Sequence, residues 1–317
     1  MSRASIHGVL LVDKPRGPTS HDIVGLVRRR LGTSRVGHAG TLDPMASGLL
    51  VVLVGEGTKL EPFLSAADKC YVAGVSLGRA TTTLDAEGDT THEAPVGDDV
   101  RGELAALACD LASPAPLVRA ALDAELARTE QVPPAYSAIH VDGVRSYQRA
   151  RAGEEVILPP RRVHVLDTKL VSTSADPPHL DVELTVSKGY YVRAFARDLG
   201  AALDTAAHLD ALERTRSGTF DRTGAIDITK EGVDVRAHVL SLADAASRHL
   251  TALRLDAAQE RLVRNGRGLD PARVERSLDV NVGDRCALVD ESSRSLIAVA
   301  ERRSDELAVL RVFHDAP

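Results

Sequence analysis

The chain has 317 residues, 44% of them apolar and 26% charged, and its formal net charge is −6 at pH 7. This length predicts one large domain and a small one, because single hydrophobic cores stop growing at about 250–300 residues. The three cysteines (Cys70, Cys109 and Cys286) are far apart and no Cys/His cluster accompanies them, which excludes a disulfide scaffold and a zinc module.

Hydropathy and charge narrow the class of protein further. The longest apolar run, residues 49–54, is far too short to span a bilayer, and the first 15 residues lack the apolar stretch of a signal peptide. We therefore expect a cytoplasmic protein that does not enter a membrane. The negative charge is concentrated in residues 85–130, which hold three basic and eleven acidic residues. A basic surface for nucleic acid is compatible with the rest of the chain.

The N-terminal segment predicts a strand at residues 8–14 and then a capped helix. Thr19 or Ser20 can cap this helix, Asp22 can complete a capping box, and Gly32 is placed to end it. The helix carries three arginines at 28–30 on its polar face, where either solvent or phosphate contact is compatible with the pattern. Residues 48–54 predict a buried strand.

The middle and the end of the chain predict alternating strands and helices. Residues 69–78 predict a half-buried strand. The acidic stretch 93–129 predicts solvated helices that are broken at 113–116. Residues 130–160 lie between two proline pairs and predict a flap with a hairpin at Asp142-Gly143 and a basic helix. A strand, a glycine turn and a helix follow at 179–203. Three short strand-like runs after residue 255 predict a small β domain.

The stretch VGHAGTLDPMASGLL, residues 36–50, places one carboxylate, Asp43, among glycines and other turn formers. Such a loop suits the close approach of backbone to a substrate, although an Asp before Pro is also a common turn former. The usual signatures of nucleotide hydrolases, dehydrogenases, zinc proteases and α/β-hydrolases are missing from the sequence.

Sequence blocks in a fixed order closely resemble the bacterial, actinobacterial-like tRNA pseudouridine synthases of the TruB family: DKPRGPTSHD, GHAGTLDPMASGLL, KCY, VPPAYSAIHVDGVRSYQRARAG, SKGYYVRAFARDLG and AHLDALERTRSG. The resemblance covers roughly residues 8–230. It implies isomerisation of uridine 55 in the TΨC loop of tRNA, without cofactor or metal. It also implies an α+β fold with a mixed, largely antiparallel sheet and flanking helices. Residues 1–250 would form the catalytic domain, with a flap at about 130–160, and residues 251–317 a PUA-like RNA-binding domain.

The resemblance also assigns the catalytic residues. Asp43 matches the family's nucleophilic aspartate, whose point of attack, base or sugar, the residues leave open. Arg193 matches the arginine that pairs with this carboxylate, and an adjacent guanidinium favours the ionised form. Tyr71 matches the active-site tyrosine that stacks on the target base, with proton transfer as a further role open to it. The cleft is expected to be formed by the 36–50 loop, Tyr71 and a strand at 190–193.

Three further positions match substrate contacts of the family. His38 corresponds to the histidine that fills the space left when the target uridine is flipped out, a step that costs a few kcal/mol. Tyr191 and Leu212 correspond to residues that line the uridine pocket, together with Tyr71. The expected partner is the T-arm stem-loop of tRNA, bound by a monomer that needs no other protein.

Three residues depart from the family pattern. Tyr190 stands where a small residue is usual, which predicts a bulkier pocket wall or an outward ring. His140 stands where Lys is usual, and Glu213 where Arg is usual, so one flap contact and one phosphate contact are in doubt. The alternatives are a tRNA-folding chaperone without catalysis, a guide-dependent pseudouridine synthase, and a glycosidase, which would need a second acid near Asp43.

Overall fold

The computed structural model describes residues 6–314. Its strands are β1 (Gly8–Lys14), β2 (Val36–His38), β3 (Ser47–Val54), β4 (Lys69–Leu77), β5 (Arg79–Thr81), β6 (Thr90–Glu93), β7 (Glu130–Gln131), β8 (His140–Val141), β9 (Val144–Arg145), β10 (Arg161–Arg162), β11 (Val165–Ala175), β12 (Pro178–Val186), β13 (Ala207–Ser217), β14 (Phe220–Asp221), β15 (Thr251–Leu255), β16 (Arg285–Asp290), β17 (Leu296–Arg302) and β18 (Leu307–Val312). Its α-helices are α1 (Ser20–Leu31), α2 (Glu61–Leu64), α3 (Asp98–Cys109), α4 (Pro116–Leu126), α5 (Ser146–Arg151), α6 (Val192–Ala202), α7 (Leu242–His249) and α8 (Ala257–Arg264). Among residues 6–314, no helix combines the length and apolar composition that crossing a lipid bilayer requires.

The chain divides into two compact units. Unit 1 comprises the described residues of Met1–Pro44, Gly48–Ser65 and Ser217–Pro317, and unit 2 comprises Met45–Ser47 and Ala66–Arg216. The α+β class predicted from the sequence is confirmed, since each unit combines largely antiparallel strands with helices.

Unit 1 begins with the predicted strand and capped helix. Strand β1 pairs antiparallel with β3, from Gly8 opposite Val54 to Lys14 opposite Gly48. The capping box of α1 is confirmed: the Thr19 side chain accepts from the Asp22 N–H and the Asp22 side chain accepts from the Thr19 N–H. Gly32 ends the helix with φ +68, a left-handed conformation that glycine adopts without steric cost.

The three predicted C-terminal strands are confirmed as β16, β17 and β18, and β15, which was not predicted, joins them in a sheet of order β15-β16-β17-β18. Strand β15 pairs parallel with β16, and the other pairings are antiparallel. One buried cluster joins this sheet to β1 and β3, because Leu49 and Val51 belong to the same apolar core as Val299 and Phe313. Burial of such side chains stabilises the fold by about 1.5–3 kcal/mol each, so this sheet and the β1/β3 pair depend on one another.

Unit 2 contains strands in the order β13-β4-β12-β11, and β12 is antiparallel to both β4 and β11. Helices α3 and α4 pack against β11, and α6 packs against β4. The predicted break between α3 and α4 is confirmed, as are the hairpin at Asp142-Gly143, which joins β8 to β9, and the following helix α5.

Two expectations for unit 2 are wrong. Residues 190–193 do not form a strand: Gly189 turns the chain with φ +90, Tyr191 is the N-cap of α6, and Arg193 lies in the first helical turn. The apolar and aromatic run suggested a strand, but Val192, Phe195 and Leu199 recur at helical spacing and are buried. The acidic helices are not solvated throughout either, because Glu125 in α4 is 2% exposed.

A histidine between two carboxylates contributes to the stability of unit 2 in a pH-dependent way. Protonated His179 donates from Nδ1 to Asp210 and from Nε2 to Asp181, at 3.1 Å each. The hydrogen bond to Asp210 raises the pKa of His179 to about 9, against an opposing effect of burial, and the bond to Asp181 adds to the increase. The shift corresponds to at most about 3 kcal/mol, reduced because the three side chains are partly solvated.

The direction of this pKa shift predicts the pH range in which His179 stabilises the fold. Because the pKa is raised in the folded state, the stabilisation is complete below the ordinary histidine value of 6.5 and is lost as the pH rises through about 9. We expect His179→Gln to lower the free energy of unfolding in urea more at pH 6 than at pH 9.5. His164→Gln, which changes an exposed histidine, is the control. A difference between wild type and His179→Gln that is the same at both pH values would contradict the prediction.

Candidate active site

Asp43 lies in the loop between β2 and β3, and the backbone on both sides of it is anchored. The N–H of Leu42 donates to Ser20 Oγ at 2.8 Å, and the same hydroxyl donates to the Leu42 carbonyl at 2.9 Å. The N–H of Gly17 donates to the carbonyl of Pro44 at 2.8 Å. Gly40 and Gly48 flank the loop with φ of +109 and +94, conformations that glycine adopts readily. The partly buried carboxylate therefore stands on a defined backbone.

A buried lysine reinforces this anchor. Lys14, the last residue of β1, is fully buried, and its ammonium donates to the carbonyls of Pro15 and Pro18 at 2.9 and 2.8 Å. It also reaches the carbonyl of Pro44 at 3.4 Å. Carbonyl partners offset the cost of burying the ammonium, and through them Lys14 joins the turn after β1 to the residue that follows Asp43.

His38 lies on the same connection as Asp43, five residues before it. It is the last residue of β2, is partly buried, and stands opposite Val52 in the β2–β3 pairing. The backbone pairing continues one residue further, because the N–H of Ala39 donates to the carbonyl of Val51. The structure thus places His38 at the start of the short connection between the paired strands β2 and β3, and Asp43 within it.

In unit 2, Arg193 is 8% exposed and its guanidinium is held on three sides. Nη1 donates to the carbonyl of Thr83 and Nη2 to the carbonyl of Tyr136, both at 2.9 Å, while Nε lies 3.6 Å from Asp85 Oδ2. A planar guanidinium suits this arrangement because its donors diverge in fixed directions. Arg193 is therefore a buried, oriented cation and not a surface side chain.

Asp85 is a buried neighbour of the Arg193 guanidinium that sequence reasoning missed. It is 4% exposed and accepts hydrogen bonds from Thr83 Oγ1 at 2.5 Å and from the Glu87 N–H at 3.1 Å. The preceding Leu84 has φ +61, a strained conformation for an aliphatic residue, and its carbonyl accepts from the Leu209 N–H. The sequence showed only that Asp85 begins the acidic segment 85–130, which gave no reason to expect a buried carboxylate there.

The other predicted residues of unit 2 lie at the start of α6 and on the adjacent strands β4 and β13. Tyr191 immediately precedes α6, two residues before Arg193. Tyr71 is 8% exposed in β4, where it stands opposite Leu184, and Leu212 is 7% exposed in the adjacent strand β13. Among residues 6–314, no group of three or more His, Cys, Asp or Glu side chains is arranged to hold a metal ion.

The three departures from the family pattern have different surroundings. Tyr190 is buried, and its hydroxyl donates to Glu125 Oε1 at 2.5 Å, so its ring is held toward α4. Burial raises the pKa of this phenol far above its ordinary value, with the Glu125 charge adding to the effect. His140 is exposed in β8 of the flap, and Glu213 is partly buried in β13.

Comparison with known proteins identifies the family. The model of the TruB family pseudouridylate synthase N-terminal domain matches residues 28–192. A tRNA pseudouridine synthase B of Cutibacterium acnes is 46% identical over 275 residues, 84% of this chain and 88% of that protein. One of Leifsonia xyli is 42% identical over 308 residues, 96% of each chain.

A solved structure described as a Cbf5-Nop10-Gar1 complex shares the fold, with a TM-score of 0.69 and 22% identity over 98% of this chain and 85% of that one. The predicted pseudouridine-synthase fold with a C-terminal β-sheet domain is therefore confirmed, as is the resemblance drawn from the sequence blocks. The chain belongs to the TruB family of pseudouridylate synthases and is an isomerase of that class.

Proposed function

We propose that this enzyme converts uridine 55 in the TΨC loop of tRNA to pseudouridine, with Asp43 as the nucleophile. The single observation that carries the proposal is the loop around Asp43, whose backbone is fixed on both sides by Ser20 and Lys14. A carboxylate on a defined backbone can meet a flipped base in one orientation, as nucleophilic catalysis requires. The names of the relatives, which are tRNA pseudouridine synthases, support tRNA as the substrate.

The proposed reaction is an isomerisation and needs no external reagent. The N1–C1′ glycosidic bond breaks, the uracil turns while it stays in the pocket, and a C5–C1′ bond forms. The C5 proton leaves and N1 gains a proton, so atoms and electrons balance. A carboxylate can form a covalent adduct with the sugar or the base and release it again. Either point of attack is compatible with this role for Asp43.

In this proposal the other site residues provide the positive charge of the active site and hold the target uracil in its pocket. Arg193, a buried cation, supplies the positive charge of the proposed active site, and Asp85 orients its guanidinium. Tyr71 stacks on the target uracil, while Tyr191 and Leu212 line its pocket. His38 fills the gap in the RNA stack, which lowers the cost of extruding the base.

The proposed enzyme acts alone in the cytoplasm as a monomer on the T-arm, with the C-terminal β domain of residues 251–317 and the flap of residues 130–160 contributing RNA contacts. The basic residues of α5 and its neighbours support a role for the flap, since phosphates attract arginines. The proposed catalytic domain is residues 1–250.

The test is pseudouridine formation on an unmodified T-arm stem-loop by the purified chain, with no cofactor, guide RNA or other protein. We expect conversion at position 55 and no product from a stem-loop that carries cytidine there. Binding without product would favour a tRNA-folding chaperone. Product that required an added guide RNA and partner proteins would favour a guide-dependent enzyme.

A further inference from the structure

The side chain of Gln131 makes a two-point contact with the backbone of Tyr191. Gln131 ends strand β7 and is 2% exposed. Its Oε1 accepts from the Tyr191 N–H at 2.9 Å, and its Nε2 donates to the Tyr191 carbonyl at 3.2 Å. A carboxamide that pairs with both polar groups of one residue reproduces the bond pattern of a β-bridge and fixes that residue in an extended conformation.

Tyr191 lies where the chain enters helix α6, so a fixed Tyr191 backbone also fixes the entry of the helix. It is the N-cap, with φ −109 and ψ 110, and α6 lacks a side-chain cap at this position. N-cap side chains usually satisfy the free N–H groups of the first turn and hold the entry of the chain. Here Gln131, from a distant part of the sequence, holds the entry through the backbone instead.

The segment that carries Gln131 contacts the first two turns of α6 at two further points. The carbonyl of Tyr136 accepts from Arg193 Nη2 at 2.9 Å, and the carbonyl of Val132 accepts from Arg197 Nη2 at 3.1 Å. Residues 131–136 are the start of the predicted flap. Four hydrogen bonds therefore join the start of the flap to the N-cap and the first two turns of α6.

We propose that Gln131 is a positioning residue for the isomerisation: by fixing the backbone of Tyr191 it sets the direction in which Tyr191 and Arg193 leave the start of α6. This inference rests on the proposed function, in which Tyr191 lines the uridine pocket and Arg193 is the buried cation. Gln131 itself touches no reacting atom. A misplacement of about 1 Å in such groups can cost about 100-fold in rate.

Gln131→Met tests the proposal, because Met has a similar volume and cannot form either hydrogen bond. We expect the single-turnover rate on the T-arm stem-loop to fall at least about 10-fold, while the Kd for the stem-loop changes less than about 3-fold. Hydrogen exchange of the peptide that covers residues 187–196 should also rise. Thr129→Ala is the matched control, since it removes an exposed side chain immediately before β7, outside the flap, and leaves both hydrogen bonds of Gln131 intact.

The pH dependence of the rate of Gln131→Glu is a further test, because a purely structural role of Gln131 would leave it unchanged. A protonated Glu offers one donor and one acceptor, as Gln does here, whereas an ionised Glu cannot donate to the Tyr191 carbonyl. We therefore expect the rate of Gln131→Glu, relative to wild type, to recover as the pH falls from 8 to 5.5. The carboxyl has an ordinary pKa of about 4.3, and burial would raise it toward this range.

A wild-type rate for Gln131→Met, or a ratio of Gln131→Glu to wild type that is flat with pH, would overturn the inference. Unchanged exchange at residues 187–196 would do the same. If the wild type forms no pseudouridine, the proposed function fails. In that case the exchange measurement, which does not depend on activity, still tests the structural part of the inference, that Gln131 fixes the start of α6.

Discussion

Asp43→Asn is expected to lower the rate of pseudouridine formation by about 1,000-fold or more, with the affinity for the T-arm stem-loop within about 3-fold of wild type. The amide matches the carboxylate in shape but is a far weaker nucleophile, so the covalent step is lost. The loop should keep its structure, because Ser20 and Lys14 anchor it through main-chain atoms of Leu42 and Pro44, which the substitution leaves unchanged.

This variant is measured by single-turnover conversion and by stem-loop binding. Asp123→Asn provides the matched control, since it makes the same chemical change at an exposed position of α4. Product formation near the wild-type rate by Asp43→Asn would remove Asp43 from the nucleophile's role. A parallel loss of binding and rate would instead assign Asp43 to substrate binding.

Local rules of sequence predicted the elements whose causes are local. The capping box of α1 needs only Thr19 and Asp22, three residues apart, and the end of the helix needs only a glycine that accepts a positive φ. The hairpin at Asp142-Gly143 is likewise a turn of two residues that favour it. The assignment of fold family and site residues had another source: the order of several sequence blocks matched a family, which periodicity alone could not have supplied.

What sequence reasoning missed depends on contacts between distant residues. Asp85 lies 108 positions before Arg193 in the chain, and its burial beside that arginine has no local signal. Glu125 was assigned to a solvated helix because acidic residues are seldom buried, yet the Tyr190 hydroxyl and Arg128 provide partners for it. The tail strands were predicted correctly, but their shared core with β1 and β3 was not.

Arg193→Lys is expected to lower the rate of isomerisation by about 100-fold, although it keeps the positive charge. The guanidinium donates in fixed directions to the carbonyls of Thr83 and Tyr136 and lies beside Asp85. A lysine ammonium is a single point and cannot occupy all three places at once. The positive charge would therefore occupy a different position. One buried carbonyl would also lose its hydrogen-bond donor, which lowers the free energy of unfolding by about 1–3 kcal/mol.

The effect on chemistry can be separated from that on stability by measuring the single-turnover rate, the stem-loop Kd and urea unfolding together. Arg101→Lys is the control for replacing a partly buried arginine, because Arg101 also donates to two carbonyls of unit 2, those of Val96 and Ala175. If only charge mattered, Arg193→Lys would retain most of the activity. A loss of rate in Arg193→Lys that Arg101→Lys does not share would show that catalysis requires the direction of the guanidinium, because both variants keep the charge and lose the planar geometry.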